Sequence, residues 1–473
     1  MKVMKFGGTS VADQPAIERL IALVRAERQA EAQTEGGDAR GPVVVVSALS
    51  GVTDRLLGVA ALAGSGDVEG ARTSLQDLRA RHIKVSDVIK DQSLRQPVVD
   101  ALNREFDELD RIVTALAVLQ EVSPRWLDAL AATGEILSSQ IVAAALTSHK
   151  LHATYVDSRK AVVTDGEHTA AAPMFEETTA ALMMHADPPL AAGRIPVMGG
   201  FVGATANGVT TTLGRGGSDF SAAIVGACLG AAEIQIWTDV DGMLSADPRV
   251  VESPFLVPAL SFAEAAELAY FGAKVLHPKT IQPAASRNIP VRILNTFKPS
   301  AGGTIIATAG APDPAPVTAL ACKKGITVVT ITSTGMLMAH GYMRRIFEVF
   351  ERFRTSVDVV STSEVSVSVT IDDATHLEGI VSGLAAFADV SVASELALVA
   401  VVGEGYGTDP RAFTRVVRAL EGIPLRLVSQ ADARRNVTLV IDEDDLPRAM
   451  GQLHAEFFRP APHSSKAASE VSA

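Results

Sequence analysis

Cysteine, aromatic residues and positive charge are all scarce in this sequence. Its 473 residues include 2 cysteines and 5% aromatic residues, and 42 lysines and arginines against 54 aspartates and glutamates give a net charge of −12. Two cysteines argue against a disulfide framework and favour a reducing compartment. The negative charge argues against a general nucleic-acid binder. The low aromatic content means that any packed core must be mainly aliphatic.

Long apolar runs are also missing. The N-terminal stretch MKVMKFGGTS lacks the apolar region of a signal peptide, and no uninterrupted apolar run is long enough to cross a bilayer. We therefore expect a soluble, cytoplasmic protein with neither a membrane nor a nucleic acid as partner. The length, with 47% hydrophobic residues, suffices for two or three domains with packed cores.

The stretch TTTLGRGGSD carries the strongest local signal. A β-branched run leads into Gly214, Arg215, Gly216 and Gly217, and Ser218 opens an alanine-rich stretch that predicts a helix. Glycines let the backbone approach a ligand closely, and a helix start offers unpaired amides to an anion. Arg215 suits a carboxylate or a phosphate. The alternative is a plain strand–turn–helix corner with Ser218 as the N-cap.

Short apolar runs alternate with helical patterns over the first 295 residues, which predicts an α/β domain. Strands are expected at Val3–Phe6, Val43–Val46, His152–Val156, Ala161–Val163, Ile195–Met198, Glu233–Trp237 and Val291–Leu294. In open α/β sheets, ligands bind at the carboxyl ends of the strands. We therefore expect a site where these runs end.

Several polar residues stand at those ends. Lys5 comes just before the turn of Gly7 and Gly8, where it either faces a phosphate or is a solvated edge lysine. Ser47 and Thr53 follow the second strand, where they either hydrogen-bond a substrate or, for Thr53, cap the next helix.

Carboxylates mark two further places. Glu135 falls near the start of a helix that is predicted to run to Leu146, so it either serves as counter-charge to an ammonium group or gains from the helix dipole. Asp239, Asp241 and Asp247 follow a predicted strand, and they either bind a metal or form Asx turns.

The pattern changes towards the C-terminus. Residues 296–316 are rich in glycine, proline and alanine and predict a linker between domains. From residue 317 onwards, strands and helices follow the order βαββαβ twice, which is typical of a tandem ferredoxin-like repeat. Neither repeat shows a catalytic constellation, and residues 460–473 predict a disordered tail.

Taken together, five motifs resemble those of the aspartate kinases, which belong to the amino acid kinase family. The motifs are KFGGTS at 5–10, GGF at 199–201, TLGRGGSD at 212–219, WTDVDG at 237–242 and FGAKVLHP at 271–278. The resemblance runs in the right order from residue 1 to about residue 459. It implies a three-layer αβα kinase domain at 1–295, followed by two ACT domains at 317–393 and 394–459, with 317–324 pairing with the second.

The resemblance also implies a reaction, the transfer of the γ-phosphoryl group of ATP to the β-carboxylate of L-aspartate. ATP would act as co-substrate with Mg²⁺, and no metal would be held by the protein alone. Lys5 and Lys274 would neutralise charge on the transferred group, Asp219 would orient them, and the amides of Gly7 and Gly8 would cradle phosphate.

Two further sets of residues match binding positions of the family. Glu135 would take the α-ammonium of aspartate and Arg215 its α-carboxylate. The substrate-binding positions are Ser47, Thr53, Glu135, Arg215, Gly216, Gly217 and Ser218. The ATP-binding positions are Lys5, Gly7, Gly8, Thr238, Asp239, Leu244, Arg249 and Lys274.

The first ACT domain resembles the lysine-binding region of lysine-inhibited family members. The matching positions are Met336, Gly341, Tyr342, Ser356, Val357, Asp358, Thr362 and Ser363. This implies feedback inhibition by lysine and dimers, or larger homo-oligomers, formed through the ACT domains. The alternative is a module that serves dimerisation alone.

Other functions remain as alternatives. Another amino acid kinase, acting on glutamate, acetylglutamate or carbamate, is disfavoured by the pair Glu135 and Arg215. A non-catalytic amino-acid sensor is disfavoured by the presence of Lys5, Asp219 and Lys274. A dinucleotide-binding domain is disfavoured because no GxGxxG follows the first strand.

Overall fold

The structure is a computed structural model that describes residues 1–33, 40–272, 276, 278–310, 316–337, 340–407, 409, 411–430 and 435–458. It divides into two compact units. The first comprises 1–243, 258–269 and 274–311, and the second comprises 244–257, 270–273 and 312–473, as far as these residues are described.

The first unit alternates strands and helices. In chain order its elements are β1 (Lys2–Phe6), α1 (Gln14–Gln33), β2 (Val43–Val46), α2 (Val52–Gly64), α3 (Val68–Val85), α4 (Gln92–Leu119), α5 (Pro124–Ser148), β3 (Ala153–Val156), α6 (Ser158–Ala161), β4 (Val163–Thr164), α7 (Phe175–His185), α8 (Asp187–Ala191), β5 (Ile195–Gly199), β6 (Val202–Thr205), β7 (Thr210–Thr212), α9 (Gly217–Leu229), β8 (Glu233–Thr238), β9 (Ala259–Ser261), α10 (Phe262–Tyr270), α11 (Pro278–Ser286), β10 (Val291–Asn295) and β11 (Thr304–Ala307).

An eight-stranded sheet forms the centre of this unit, with the order β3-β5-β2-β1-β8-β10-β11-β9. All neighbours pair in parallel except β10 and β11. Met4, Phe6, Val44 and Val46 share one core cluster with helices α1, α2, α4 and α5. Because successive side chains in a strand alternate between faces, Lys5 points to the opposite face. Helices on both faces give the expected α/β architecture.

A second, three-stranded sheet with the order β4-β6-β7 carries the residues that lead into the glycine-rich stretch. The strand predicted at Ala161–Val163 is wrong in position, since α6 ends at Ala161 and β4 begins at Val163. Asp157 explains this helical turn, because its side chain accepts a hydrogen bond from the amide of Arg159.

Helix α5 is long and apolar enough to cross a membrane by length and composition, with a mean hydropathy of 1.4. The sequence has no uninterrupted apolar run of that length, so the apolar character of α5 is an average over the helix. In the structure 83% of that window is buried, which is typical of the core helix of a folded domain.

The second unit contains β12 (Ala319–Thr332), α12 (Tyr342–Arg352), β13 (Val360–Thr362), β14 (Ser366–Ile371), α13 (Leu377–Ala385), β15 (Asp389–Val402), α14 (Ala412–Ala419), β16 (Leu427–Ser429), β17 (Asn436–Asp442) and α15 (Leu446–Phe458). They form one six-stranded sheet with the order β13-β14-β12-β15-β17-β16. The two ferredoxin-like halves therefore share a single sheet.

Two 14-residue strands, β12 and β15, run through both halves. Ala319–Lys323 pairs with Leu398–Val402, while Ile326–Thr332 pairs with Asp389–Leu396. Each half has its own apolar core, one around Ile346 and one around Leu439. The first residues of β12 therefore pair with the part of β15 that belongs to the second half.

The segment predicted as a linker, 296–316, contains a strand of the main sheet. Residues Thr304–Ala307 form β11 and pair with both β10 and β9 in the main sheet. The run Thr-Ile-Ile-Ala is a short β-branched strand. Because glycines and prolines surround it, the composition of the whole segment predicts a linker instead. The tail predicted at 460–473 lies outside the described residues.

Candidate active site

Strand β1 delivers Lys5 to the carboxyl end of the main sheet. Lys5 is 7% exposed and lies between β2 and β8, opposite Val45 and Ile236. This burial excludes the solvated edge lysine. The Nζ atom of Lys5 lies 2.6 Å from Oδ1 of Asp219 in the first turn of α9. The contact is an ion pair without hydrogen-bond alignment, because Asp219 Oδ1 has no hydrogen-bond partner among the described residues.

The turn after β1 differs in part from the predicted phosphate cradle. The amide of Gly7 donates to the carbonyl oxygen of Trp237 at 3.0 Å, so this amide is already engaged. Gly8 begins a short 3-10 segment that runs to Val11. The first amides of such a segment have no acceptor within it. Gly8 is therefore better placed than Gly7 to serve an anion.

The glycine-rich stretch forms a tight turn into α9. Gly214 and Gly216 have φ angles of 77° and 72°, which glycine adopts without strain. Gly216 is the N-cap, so Ser218 lies inside the helix and is not its cap. Arg215 is exposed and makes no hydrogen bond or ion pair with another residue that the structure describes. Its guanidinium is available to a ligand.

Glu135 lies in the middle of α5, not near its start, so the helix dipole does not explain it. Its side chain is buried, with the residue 3% exposed, and its Oε2 has no hydrogen-bond partner among the described residues. Burial raises the pKa of this carboxyl to about 8, against hydrogen bonds from the amides of Ala48 and Glu135 itself and the charge of Lys5. A buried carboxyl of this kind is suited to a cationic ligand.

These groups converge on one cavity of about 570 Å³. Its lining contains the whole predicted substrate-binding set, together with Lys5 and Asp219. The predicted residues in its wall are Lys5, Ser47, Thr53, Glu135, Arg215, Gly216, Gly217, Ser218 and Asp219. Thr53 lies within α2, whose N-cap is Gly51, so it does not cap that helix. The structure thus brings together residues that are far apart in sequence.

Other lining residues are absent from the sequence-based set, notably Asp128, Thr169 and Phe201. Asp128 precedes Glu135 by two helical turns, so helical spacing is a signal that places it on the same face. Phe201 belongs to the GGF motif. No sequence signal distinguishes Thr169.

Apart from Lys5, the predicted nucleotide-binding residues that the structure describes do not line this cavity. Thr238 ends β8 beside the end of β1, and Asp239 accepts a 3.2 Å hydrogen bond from its hydroxyl. Leu244 and Arg249 belong to the second unit, where Leu244 bridges to Leu256. Lys274, predicted as catalytic and ATP-binding, lies outside the described residues.

The aspartates after β8 favour the turn interpretation over a metal site. Asp247 accepts hydrogen bonds from the amide of Arg249 at 2.8 Å and from its guanidinium at 2.6 Å, which is an Asx turn. Asp241 accepts from Asn295 and Lys298. Among the described residues no three His, Cys, Asp or Glu side chains are grouped to hold a metal ion.

The predicted effector positions lie in the first half of the second unit. Gly341 is the N-cap of α12, whose first residue, Tyr342, donates its hydroxyl to the carbonyl of Phe387 at 3.0 Å. Thr362 ends β13, next to Ser363. The other predicted positions are Met336 in a 3-10 turn and Ser356, Val357 and Asp358 before β13.

Asp358 is engaged by neighbouring side chains. Its Oδ1 accepts a 3.0 Å hydrogen bond from the hydroxyl of Tyr270, and its Oδ2 lies 3.7 Å from Nζ of Lys323. Burial raises the pKa of the Asp358 carboxyl, while Lys323 acts in the opposite direction. An effector that uses this carboxylate must therefore compete with Lys323 and Tyr270.

Gly200 illustrates how closely the cavity is built. A Cβ atom at Gly200 would lie 2.7 Å from Cα of Ser218, closer than such atoms approach in proteins. We expect Gly200→Ala to displace the start of α9 and to lower kcat/KM at least about tenfold, which corresponds to about 1.4 kcal/mol. The control is Gly58→Ala in α2, where the added Cβ meets nothing within 4 Å. Wild-type kinetics of Gly200→Ala would show that the wall tolerates movement.

Comparisons with known proteins agree with this architecture. The Amino acid kinase family matches residues 1–295, and the ACT domain family matches residues 399–457. Aspartokinase 1, chloroplastic, from Arabidopsis thaliana is 33% identical over 96% of this chain and 80% of its own length. The lysine-sensitive aspartokinase 3 of Escherichia coli is 33% identical over 96% of this chain and 99% of its own length.

A solved structure of an aspartokinase has the same fold. The crystal structure of E. coli aspartokinase III in complex with aspartate and ADP superposes with a TM-score of 0.82 at 31% identity, covering 97% of this chain and 100% of that one. The fold and the family match thus define a kinase of the amino acid kinase class.

The chain belongs to the amino acid kinase family, in its aspartokinase branch. Its reaction is the phosphorylation of L-aspartate by ATP. The predicted α/β kinase domain with C-terminal ACT domains and the predicted enzyme activity are confirmed.

Proposed function

We propose that the 570 Å³ cavity is where this chain binds aspartate and transfers phosphate to it. The observation that carries the proposal is that Lys5, Asp219 and Glu135 line one cavity although they come from three separate elements. The E. coli relative was solved with aspartate and ADP, which supports an acceptor and a nucleotide meeting in this fold. Glu135 and Arg215 supply opposite charges for the two ends of an α-amino acid.

In the proposed mechanism, charge neutralisation and alignment do most of the work. Phosphoryl transfer needs the attacking and leaving oxygens in line and positive charge around the moving group. Lys5 supplies an ammonium group, and Asp219, 2.6 Å away, holds that ammonium in place. Lys274 would supply a second ammonium, and its position lies outside the described residues.

Substrate binding changes the state of Glu135. Its carboxyl is largely protonated at neutral pH without ligand because burial raises its pKa to about 8. An ammonium group placed against Oε2 favours the ionised form and gives this oxygen the partner that it lacks. The amino acid therefore brings its own counter-charge into the buried site.

We propose Mg²⁺ as the companion of ATP. Mg²⁺ binds through one or two carboxylates, several waters and the substrate phosphates, so it needs no cage of protein ligands. Asp219, beside Lys5 in the cavity wall, is the carboxylate that we assign to this role. When bound, Mg²⁺ neutralises charge on the β- and γ-phosphates.

The activity is tested by supplying ATP with single amino acids and trapping the acyl phosphate with hydroxylamine. Aspartate should give a hydroxamate together with equimolar ADP, whereas glutamate, acetylglutamate and carbamate should give at most background. Product from one of those three acceptors in place of aspartate would overturn the proposed use of the cavity.

We also propose that lysine inhibits the enzyme through the first ACT domain. The support is the matching set from Met336 to Ser363 and the lysine-sensitive E. coli relative. Asp358 is the acidic group in that set, and the lysine effector would replace Lys323 and Tyr270 at its carboxylate. Tyr270 stands four residues before Lys274 in the sequence.

Titration with lysine tests this regulation. We expect L-lysine to lower the rate, and Asp358→Asn to raise the concentration needed for half-inhibition at least about tenfold, because a neutral amide attracts an ammonium less than a carboxylate does. Asp373→Asn is the matched control, since Asp373 is exposed and caps the turn at Thr375. A flat response of the wild type to lysine, threonine and both together would contradict the proposal.

Three further properties follow from the resemblance. We propose that the chain forms a homodimer or larger homo-oligomer through its ACT domains, which sedimentation equilibrium would measure. We propose that it works in the cytoplasm. Its product would then open the route to lysine, threonine and methionine, and an aspartokinase-deficient strain that grows again with this chain would support that placement.

A further inference from the structure

One carboxylate in the cavity wall has no role in the proposed mechanism. Asp128 is fully buried, at 0% exposure, although it carries an ionisable group. It lies on α5 two turns before Glu135 and lines the same cavity. A buried carboxylate is retained only where several donors satisfy it.

Asp128 receives hydrogen bonds from two other segments of the chain. The amide of Thr169 lies 3.1 Å from Oδ1 and 3.0 Å from Oδ2, and Nδ1 of His168 donates to Oδ2 at 2.6 Å. The hydroxyl of Thr212, at the end of β7, donates to Oδ1. One side chain therefore joins α5, the loop at 165–172 and β7.

The loop at 165–172 is strained at the point that Asp128 holds. Thr169 has a φ of 70°, in the left-handed region that β-branched residues rarely adopt. Such a residue persists only when its surroundings fix it. Both oxygens of Asp128 accept from the amide of this residue, and a glycine there would need no such restraint.

The same loop lies against the glycine-rich stretch. The amide of Ala171 donates to the carbonyl of Thr212 at 2.9 Å. A Cβ atom at Gly214 would lie 3.1 Å from the carbonyl oxygen of Thr169. The position of Thr169 therefore fixes where the chain turns before Arg215.

We propose that Asp128 is a positioning residue for aspartate binding. It holds Thr169 in its left-handed conformation, and this loop in turn fixes the wall that presents Arg215 to the substrate. The inference rests on the proposed aspartate site. It concerns the acceptor amino acid and not ATP, because Gly7, Gly8, Thr238, Asp239, Leu244 and Arg249, the other described residues predicted to bind the nucleotide, do not line this cavity.

The test compares Asp128→Asn with Thr169→Gly. Asn has the same shape, but it offers one acceptor oxygen to three donors, so we expect KM for aspartate to rise about tenfold while KM for ATP stays within about twofold. Thr169→Gly alone should raise KM for aspartate less than Asp128→Asn does. In the double variant, KM for aspartate should be at least about threefold lower than in Asp128→Asn alone. The reason is that a glycine at position 169 reaches the left-handed conformation without the carboxylate.

Other outcomes overturn the inference. Equal effects of Asp128→Asn on both KM values, or no recovery by Thr169→Gly, would show a general structural role. Should Asp128→Asn fail to fold, His168→Ala removes one donor at a partly exposed position, and an unchanged KM for aspartate in that variant would equally overturn it. Asp110→Asn, which loses the partner of Arg72 in the helical part of the unit, is the control.

The result is separable from the proposed site itself. If Glu135→Gln and Arg215→Ala leave KM for aspartate unchanged, the aspartate site lies elsewhere. If both raise it and Asp128→Asn does not, the aspartate site stands and only the positioning role of Asp128 falls.

Discussion

Lys5→Met is expected to lower kcat by about 10²–10³-fold, the usual cost of losing one group that stabilises transition-state charge. The ammonium of Lys5 is buried beside Asp219 at the carboxyl end of β1, and methionine keeps much of its length and packing while removing the charge. Because the loss falls on the transition state, KM for aspartate should change much less than kcat. A coupled assay of ADP release measures both.

Lys2 provides the matched control. It lies on the same strand, is more exposed and pairs with Glu27 at 2.7 Å. Lys2→Met should therefore keep the wild-type kcat within about twofold, since surface ion pairs contribute little. Turnover close to wild type in folded Lys5→Met would remove Lys5 from the mechanism.

Glu135→Gln is expected to raise KM for aspartate by at least about 30-fold. Losing one partner of a buried, hydrogen-bonded charge pair costs about 2–5 kcal/mol, and Glu135 is the buried acidic side chain that we assign to the substrate ammonium. KM for ATP should change little. Isothermal titration with aspartate and steady-state kinetics would both report the loss.

The pH dependence gives a second, independent signature of Glu135. In the free enzyme its carboxyl has a pKa of about 8 because it is buried. Below this pH the protonated form predominates, and the fraction able to receive an ammonium falls about tenfold for each pH unit. We therefore expect kcat/KM for aspartate to rise with pH up to about 8 and then level off, and this rise should vanish in Glu135→Gln.

Glu264 is the control for that experiment. It is 2% exposed, and it forms a capping box in which its Oε2 accepts from the amide of Ser261. Glutamine also serves in a capping box. Glu264→Gln should keep both the wild-type KM and the wild-type pH profile, whereas a pH profile of Glu135→Gln that matches the wild type would assign the titration to another group.

Much of the fold was predictable because the sheet strands are short, continuous apolar runs. Val43–Val46 is buried along its whole length, as such a run in a parallel sheet requires. Strand β11 was missed because a four-residue strand between glycines carries little periodic signal. The predicted strand at Ala161–Val163 was misplaced because the cap formed by Asp157 is a local contact that apolar patterning does not report.

Site residues were predictable where they belong to sequence motifs. They were not predictable where their role depends on contacts between segments that are distant in sequence. The convergence of Lys5, Glu135 and Asp219 on one cavity needs the three-dimensional fold, although the motifs identify each residue. That Gly7 gives its amide to Trp237 follows from the pairing of β1 with β8, which a single sequence does not reveal. Asp128 and Thr169 were missed because their importance lies in hydrogen bonds between distant segments.

The two long strands of the second unit carry a consequence for how this part of the protein can be divided. Since β12 and β15 each contribute to both cores, neither half is a self-contained module that gene fusion or limited proteolysis would release intact. A fragment that begins within β15 would lack Ala319–Lys323, the part of β12 that pairs with Leu398–Val402. We therefore expect this region to fold only when both halves are expressed together in one chain, and to be exchanged between proteins only as a whole.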